Sequence, residues 1–332
     1  MNAVSFPSRF VAVTFAALLL LAGAALADPS SWSRQGWSTD FSKQSVDYGE
    51  ILSGGPPKDG IPSIDNPSFV DVSQMDGLDD MEPVMGLEIN GDARAYPLRI
   101  LMWHEIVNDT VGGVPVTVTY CPLCNAALVF DRRVNGDADT FGTTGKLRNS
   151  DLVMYDRKTE SWWQQFTGEA IAGALTGTKL DMVPSRLESW KNFRTRHPQG
   201  KVLVPNNPQM RNYGANPYRG YDTMNRPFLF TGALPEDIEP MARVVVVRDG
   251  VSPIVVSMLK VREEGPLERQ GLTIKWEAGQ ASALDSGVIS AGRDVGNITV
   301  QRDGEDVVHD VTFAFVANAF LPDVPIEKSA SE

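Results

Sequence analysis

Between residues 114 and 131 the sequence reads VPVTVTYCPLCNAALVFD. β-Branched residues alternate along residues 114–120, which is typical of a β-strand, and the apolar run at residues 126–131 predicts its antiparallel partner. The two runs are joined by Cys121-Pro122-Leu123-Cys124, which contains both cysteines of the chain. We therefore predict a β-hairpin whose turn carries the two thiols.

Similar signals extend outward from this hairpin. Asn90-Gly91 predicts a two-residue turn between strands at residues 84–89 and 93–97, and nearly every segment after residue 242 has a strand-like composition. The clearest helix signal lies at residues 185–197, and residues 98–107 have the pattern of a shorter helix. The 29 glycines and 22 prolines favour frequent turns and few long helices. The predicted class is mostly β (α+β), with antiparallel sheets, hairpins and one or two short helices.

The N-terminus has the pattern of an export signal. Arg9 precedes an apolar run at residues 10–22, and Ala25-Leu26-Ala27 matches the small-x-small motif that signal peptidase cleaves. We predict that residues 1–27 are a cleaved signal peptide and that the mature chain is periplasmic or secreted. No stable membrane insertion is expected after cleavage.

Charge and composition limit the partners of the mature chain. Removing residues 1–27 takes away Arg9 and no acidic residue, so the net charge changes from −12 to −13. Nucleic acids and anionic lipid surfaces attract clustered cations, so neither is an expected partner. We expect a β-rich domain at residues 28–240, a C-terminal β region at residues 241–325 packed into the same unit, and a tail at residues 326–332. The acidic, proline-flanked residues 235–240 are the candidate boundary.

Two neighbouring thiols in an exported protein have three possible roles: a metal site, a redox couple or a structural disulfide. A Cys-Pro-x-Cys turn between two strands is typical of the metal knuckles of zinc ribbons and rubredoxins. In such a turn the residue after the second cysteine often needs a left-handed backbone, and Asn125 tolerates this conformation better than other non-glycine residues. The metal role is therefore the leading interpretation.

Two thiolates supply half of a tetrahedral metal shell, so other residue types have to complete it. We predict a site made of Cys121, Cys124 and His104, since His104 lies upstream in the segment Trp103-His104-Glu105. Met154 and His197 are weaker candidates. These soft or borderline ligands suit copper(I) or zinc and do not suit calcium or magnesium.

Copper is the preferred ion at this stage, because only three good ligands are evident and Cu(I) accepts low coordination numbers. Glu105 is expected to orient the imidazole of His104 as a hydrogen-bond acceptor. Such a protein would handle metal or transfer electrons, with an unidentified protein or metal donor or acceptor as its partner.

Two alternatives stay open. The first is a periplasmic thiol–disulfide oxidoreductase in which Cys121 attacks and Cys124 resolves, although residues 126–130 are too short and β-like for the helix that such enzymes use. The second is a binding module without enzymatic activity, in which the cysteines are a structural pair and Tyr155, Trp162 and Trp163 face a ligand. Of the two tryptophans, we expect one in the core and one at the surface.

Five blocks of sequence carry a resemblance to a known family: SGGPPKDGIP (residues 53–62), AYPLRI (95–100), WHEIVND (103–109), TYCPLCN (119–125) and MYDR (154–157). They resemble the family of exported bacterial and archaeal proteins catalogued as domain of unknown function 3179, from about residue 53 to residue 322. Asn125 stands where we expect glycine in this family. The resemblance implies an exported protein that folds as a single unit, and it assigns neither an activity nor a catalytic residue.

Overall fold

The computed structural model describes residues 29–248 and 252–332. The predicted signal peptide, residues 1–27, therefore lies outside the described residues. Strands account for 38% of the residues and helices for 15%, and the sheets are small and mostly antiparallel. The prediction of a mostly β protein with antiparallel sheets is confirmed at this level.

The strands before residue 180 are β1 (Ile51–Ser53), β2 (Ser68–Asp71), β3 (Pro83–Ile89), β4 (Asp92–Pro97), β5 (Ile106–Val111), β6 (Val114–Cys121), β7 (Ala126–Asp131), β8 (Arg133–Val134), β9 (Asp137–Ala138), β10 (Phe141–Arg148), β11 (Asp151–Asp156), β12 (Trp162–Gln164) and β13 (Glu169–Ala172). The strands after residue 180 are β14 (Met182–Val183), β15 (Arg186–Ser189), β16 (Lys201–Val204), β17 (Arg243–Val247), β18 (Ile254–Ser257), β19 (Leu267–Arg269), β20 (Leu272–Glu277), β21 (Asn297–Arg302), β22 (Glu305–Asp306), β23 (His309–Phe313) and β24 (Ile326–Glu327).

Helices are more numerous than the sequence predicted, but they are short. The described residues contain five α-helices: α1 (Pro29–Arg34), α2 (Leu98–His104), α3 (Trp190–Arg196), α4 (Met258–Glu264) and α5 (Ala314–Phe320). Single 3₁₀ turns lie at Tyr48–Glu50, Val72–Gln74, Tyr221–Thr223 and Ile289–Ala291. A helix of about two turns is too short to show a repeating apolar period, so α4 and α5 gave no helical signal.

The helix predicted at residues 185–197 begins later than its sequence indicates. Arg186–Ser189 forms strand β15, which pairs antiparallel with β3. The helix begins at Trp190, and its N-cap is Ser189, whose side chain accepts a hydrogen bond from Asn192 N at 3.3 Å. Sheet pairing overrides local helix propensity in the first part of this segment.

The strands form five sheets of four or five strands and one two-stranded ribbon. The orders are β1-β10-β11-β12-β13, β14-β7-β6-β5, β15-β3-β4-β16-β2, β23-β17-β18-β24, β19-β20-β21-β22, and the ribbon β8-β9. The pairs β4–β16 and β18–β24 are parallel, and the other strand pairs are antiparallel. The arrangement resembles a five-bladed propeller, an architecture in which small sheets are repeated radially.

The main hydrophobic cluster draws residues from all five larger sheets, including Met85, Phe130, Met154, Val245 and Ile274. It contains residues from both sides of the candidate boundary at residues 235–240. Strands β7 and β23 lie on opposite sides of this boundary in sequence and contact each other. Within the described residues, no helix is long and apolar enough to cross a membrane.

Trp162 and Trp163 are both completely buried, which corrects the expectation of one core and one surface residue. The reason is that the sheet containing β12 has hydrophobic clusters on both faces. Trp163 belongs to the main cluster and contacts Phe141 edge-on. Trp162 faces the N-terminal segment, where Trp32 and Trp37 pack against it.

Candidate functional site

The predicted cysteine hairpin is present. Strand β6 ends at Cys121, β7 begins at Ala126, and the two pair antiparallel. Cys124 N donates to Cys121 O and Asn125 N donates to Pro122 O, both at 3.2 Å. Asn125 has a φ of +51°, which is the left-handed conformation expected from the sequence. The short turn therefore directs both thiols to the same side.

This turn is held against strand β23 by three hydrogen bonds. Cys124 O accepts one from Thr312 Oγ1 at 2.7 Å and one from Phe313 N at 3.3 Å. The side chain of Asn125 donates to Val311 O at 3.1 Å. Because these contacts satisfy the polar groups of the turn, its backbone is fixed even though it is buried.

Asp151 completes a group of three possible metal ligands. The two sulfurs and one carboxylate oxygen of Asp151 all lie within 4.8 Å of one another, and all three residues are buried. Asp151 is the first residue of β11 and follows a turn at Asn149 and Ser150, which both have positive φ. Cys121 Sγ donates to Ser150 O at 3.6 Å, and the two thiols are not joined in a disulfide.

The two carboxylate oxygens of Asp151 have different surroundings. Oδ2 accepts hydrogen bonds from Gln164 Nε2 at 2.6 Å and from Phe166 N at 2.9 Å. Oδ1 is buried and accepts no hydrogen bond from an N–H or O–H group of the described residues. The thiols of Cys124 and Cys121 also act on this carboxylate as hydrogen-bond donors. A buried carboxylate beside two thiols is a candidate cation ligand.

Burial shifts the titration of all three side chains. It raises the pKa of Cys121 and raises that of Cys124 well above its usual value, because a thiolate is poorly solvated there. Burial also raises the pKa of Asp151 to about 7, against the opposing effect of its hydrogen bonds. Without a cation the site therefore favours neutral thiols, and a metal ion would favour their thiolates.

His104, the predicted third ligand, lies elsewhere, and this corrects the sequence-based site. Its Nδ1 is 2.7 Å from Pro62 O and its Nε2 is 2.8 Å from Tyr213 Oη. Both ring nitrogens are therefore engaged, and His104 does not belong to the group that contains the two sulfurs. Burial lowers its pKa, which favours a neutral imidazole held between two oxygen partners.

The residue after His104 is directed toward the cysteines instead. Glu105 ends helix α2 with a φ of +57°, and its side chain lines a cavity that Cys121 also lines. Burial, followed by the negative charge of Asp151, raises the pKa of Glu105 to about 8. A non-glycine residue held in the left-handed region is often part of a functional site. The predicted role of Glu105 as an acceptor for the His104 ring is not observed.

The cavity has a volume of about 340 Å³ and mostly apolar walls. Its wall includes Leu123, Leu147 and Leu152, together with seven residues of the segment 217–229. Exposed Met224 and Phe228 belong to this second segment. A pocket with apolar walls and a few polar groups is typical of sites for small molecules.

The weaker candidates from the sequence do not join the cysteines. Met154 is buried in the main hydrophobic cluster. His197 follows helix α3, and its Nδ1 lies 3.6 Å from a carboxylate oxygen of Glu88. Tyr155, proposed to face a ligand, is buried and donates to Asp59 Oδ2 at 2.5 Å.

Asp151 was missed by sequence reasoning. The available signal was weak: one acidic residue between a turn and the apolar run that continues β11. Its functional environment comes from strand pairing, since β10, β11 and β12 are neighbours in one sheet while the cysteines belong to another. Contacts between sheets are not visible in local sequence patterns.

The family described as "Protein of unknown function (DUF3179)" matches residues 58–324. The match covers most of the chain and includes the cysteine hairpin, Glu105 and Asp151. No curated protein and no solved structure matches the chain.

Proposed function

The chain belongs to the DUF3179 family, and we propose that it is an exported metal-binding protein whose Cys121, Cys124 and Asp151 hold a zinc ion. The observation that carries this proposal is that two buried thiol sulfurs and one carboxylate oxygen of Asp151 lie within 4.8 Å of one another, in a carboxylate whose Oδ1 has no N–H or O–H partner. A bound cation would satisfy this carboxylate and both sulfurs together.

The spacing of the three atoms is compatible with a metal ion after small side-chain adjustments. Zinc bonds of about 2.3 Å to sulfur and about 2.0 Å to oxygen place neighbouring ligand atoms roughly 3.5–3.8 Å apart. The hydrogen bonds that Gln164 and Phe166 donate to Oδ2 would fix the carboxylate and leave Oδ1 for the ion.

The identity of the third ligand changes the preferred ion from copper to zinc. A carboxylate oxygen is a common zinc ligand, whereas copper(I) favours thiolate and thioether ligands. Copper(I) remains the second candidate, because Cys121 and Cys124 alone offer two thiolates to an ion that accepts low coordination.

Three protein ligands leave a fourth position on a tetrahedral ion. Cys121 also lines the cavity, so an ion bound to its sulfur would lie at the edge of that cavity. Sites with three protein ligands usually keep the fourth position for water or another exchangeable ligand. This arrangement supports metal handling, meaning storage or delivery, by a protein exported through its predicted signal peptide.

The thiol–disulfide oxidoreductase alternative is less well supported. Such enzymes need an accessible cysteine with a lowered pKa, generally at the N-terminus of a helix. Here both thiols are buried on a β-hairpin, and burial raises their pKa values. A purely structural role for the cysteine pair assigns no function to the buried Asp151 carboxylate that lies beside the two thiols.

Elemental analysis of the protein purified from the periplasm tests the proposal. We expect close to one zinc ion per chain, and a loss of most of that zinc in Cys121→Ser, Cys124→Ser and Asp151→Asn. The Asp151→Asn variant keeps the size of the side chain and an oxygen for Gln164 and Phe166. His104→Ala is the matched control and should retain the ion.

Two results would reject the zinc proposal. One is protein with free thiols that takes up neither zinc nor copper(I) after loading. The other is equal loss of metal from His104→Ala and Asp151→Asn. Copper in place of zinc, retained in Asp151→Asn, would support the second candidate.

A further inference from the structure

Glu105 is an isolated carboxyl group inside the cavity. Its side chain is 7% exposed, and within the described residues it forms neither a hydrogen bond nor an ion pair. Buried carboxyl groups in proteins nearly always have a partner, because leaving them unsatisfied costs free energy. The group therefore has the features of an anchor for something that enters the cavity.

The surroundings of Glu105 disfavour its ionised form, so a carboxylate at this position needs a positively charged partner. Burial is the largest cause of the raised pKa of Glu105, and the negative charge of another acid, Asp151, is the second. Lys146 and Arg219 also contribute to the cavity wall, but neither pairs with Glu105. Burial lowers the pKa of Lys146, and its Nζ lies 3.5 Å from Gln35 Oε1. No cation within the described residues therefore neutralises Glu105.

Aromatic rings form part of the same cavity. Tyr218, Tyr221 and Phe228 contribute to its wall. Burial and then the nearby Glu105 carboxylate raise the pKa of Tyr218, which places this ring close to the acid. The faces of aromatic rings attract cations, and clusters of rings recognise organic ammonium groups whose alkyl substituents also need apolar contacts.

We propose that this cavity binds a small organic ammonium cation, with Glu105 as its counter-ion and the rings of Tyr218, Tyr221 and Phe228 as part of its wall. The volume of about 340 Å³ is sufficient for a molecule with a few carbon atoms around the nitrogen. The net charge of −12 favours the approach of cations. The apolar walls favour an alkylated nitrogen over a strongly hydrated inorganic ion.

This inference does not depend on the proposed zinc ion. A divalent cation bound to two thiolates and one carboxylate leaves one net negative charge at the site, and without the ion the neutral thiols carry no charge, so neither state adds a positive charge beside Glu105. Glu105 is not a member of the Cys121, Cys124 and Asp151 group. It is therefore free to pair with a cation in the cavity.

Choline and 3,3-dimethyl-1-butanol are a matched pair of probes, because the second molecule replaces the quaternary nitrogen of the first with carbon. We expect the full-length mature protein to bind choline with a millimolar or lower Kd in isothermal titration calorimetry. It should bind the neutral alcohol at least about tenfold more weakly, which corresponds to about 1.4 kcal/mol.

Variants test which residues carry this preference. Glu105→Gln should weaken choline binding about tenfold and leave the binding of the alcohol within about threefold, because the substitution removes charge and keeps size. Tyr218→Leu should weaken choline binding while keeping an apolar wall. Glu236→Gln removes an equal charge from an exposed position outside this cavity and should change neither probe.

The proposal is overturned if choline does not bind, or if the two probes bind equally to the unaltered protein. It is also overturned if Glu105→Gln, shown by circular dichroism to be folded, retains the preference for choline. Leu147→Trp provides a second check, since a larger side chain in the wall should reduce the binding of both probes. Repeating the titrations with Cys121→Ser separates this inference from the metal proposal, because the preference for choline should persist there.

Discussion

His104 and Asp151 are two buried polar residues, and only one of them lies with the cysteines. His104 belongs to a distinctive sequence segment, but both of its ring nitrogens are engaged by Pro62 and Tyr213. Asp151 has no distinctive sequence context, but one of its carboxylate oxygens lies within 4.8 Å of two sulfurs, and its Oδ1 has no N–H or O–H partner. We therefore expect unsatisfied bonding capacity to indicate a binding site better than residue type does.

The surroundings of His104 and Asp151 also differ in how the polar atoms of each side chain are bonded. His104 links helix α2 to Pro62 in a loop and to Tyr213 in the long segment before β17. Both ring nitrogens have partners, and the lowered pKa favours a neutral ring. Asp151 uses Oδ2 to join β11 to residues 164 and 166, and the same carboxylate lies beside the two thiols. The first environment is structurally complete, and we propose that an added cation completes the second.

At constant pH, replacing Asp151 or His104 with alanine should give the largest difference in the free energy of unfolding. In metal-free protein, Asp151→Ala should lower the free energy of unfolding by about 4 kcal/mol, because it leaves the Gln164 amide and Phe166 N–H without an acceptor in a buried site. His104→Ala should cost about 2 kcal/mol, since Tyr213 is partly exposed and can turn to water. Urea denaturation of both variants measures the difference.

Asp151→Asn is the control for this contrast. It retains an oxygen acceptor and the side-chain volume, so most of the loss seen with alanine should be recovered. If His104→Ala were more destabilising than Asp151→Ala, the assignment of the two roles would have to be reversed.

The pH dependence of the free energy of unfolding should distinguish Glu105 from its neighbour His104. Burial raises the folded-state pKa of Glu105 to about 8 from an ordinary value of 4.5, so the folded protein keeps a proton that the unfolded chain releases. Since the folded state then binds more protons, the free energy of unfolding should fall as pH rises from about 4.5 to about 8. In metal-free protein we expect Glu105 to contribute about 5 kcal/mol to this decrease, from a pKa shift of about 3.5 at about 1.4 kcal/mol for each pKa unit.

Glu105→Gln should make the free energy of unfolding fall less steeply between about pH 4.5 and about pH 8, because glutamine does not titrate. His104 has a lowered pKa and is neutral in the folded protein above its ordinary value of 6.5, so its contribution appears only below that pH and has the opposite sign. Urea denaturation midpoints of Glu105→Gln and His104→Ala at pH 5 and pH 8 measure these two contributions. An unchanged slope in Glu105→Gln would contradict the burial of an isolated carboxyl group.

Sequence patterns predicted the part of the site that depends on neighbouring residues. The alternation before Cys121, the apolar run after Cys124 and the left-handed position of Asn125 are all local, and each is observed. The partner of the thiols is set by the packing of two different sheets, so His104 was preferred on residue type and Asp151 was overlooked. The resemblance to the DUF3179 family was also correct, and it carried no information on the ligands.

The same limit applies to the fold. The mostly β class follows from composition and turn signals, but the propeller-like arrangement depends on how five sheets pack around a shared core. Trp162 and Trp163 show the physical reason, because alternation along a strand predicts one buried face only when the other face meets water. Here the N-terminal segment covers the second face, and both rings are buried.

Asn125 provides the smallest test, at the point where local sequence and long-range packing meet. Its φ of +51° is a local requirement, while its side-chain bond to Val311 O joins the cysteine turn to β23. Asn125→Gly removes only the hydrogen bond and should cost about 1 kcal/mol, whereas Asn125→Ala adds left-handed strain and should cost about 2 kcal/mol. Urea denaturation of the two variants measures the contrast. Equal costs would show that the bond to β23, and not the backbone conformation, holds the turn in place.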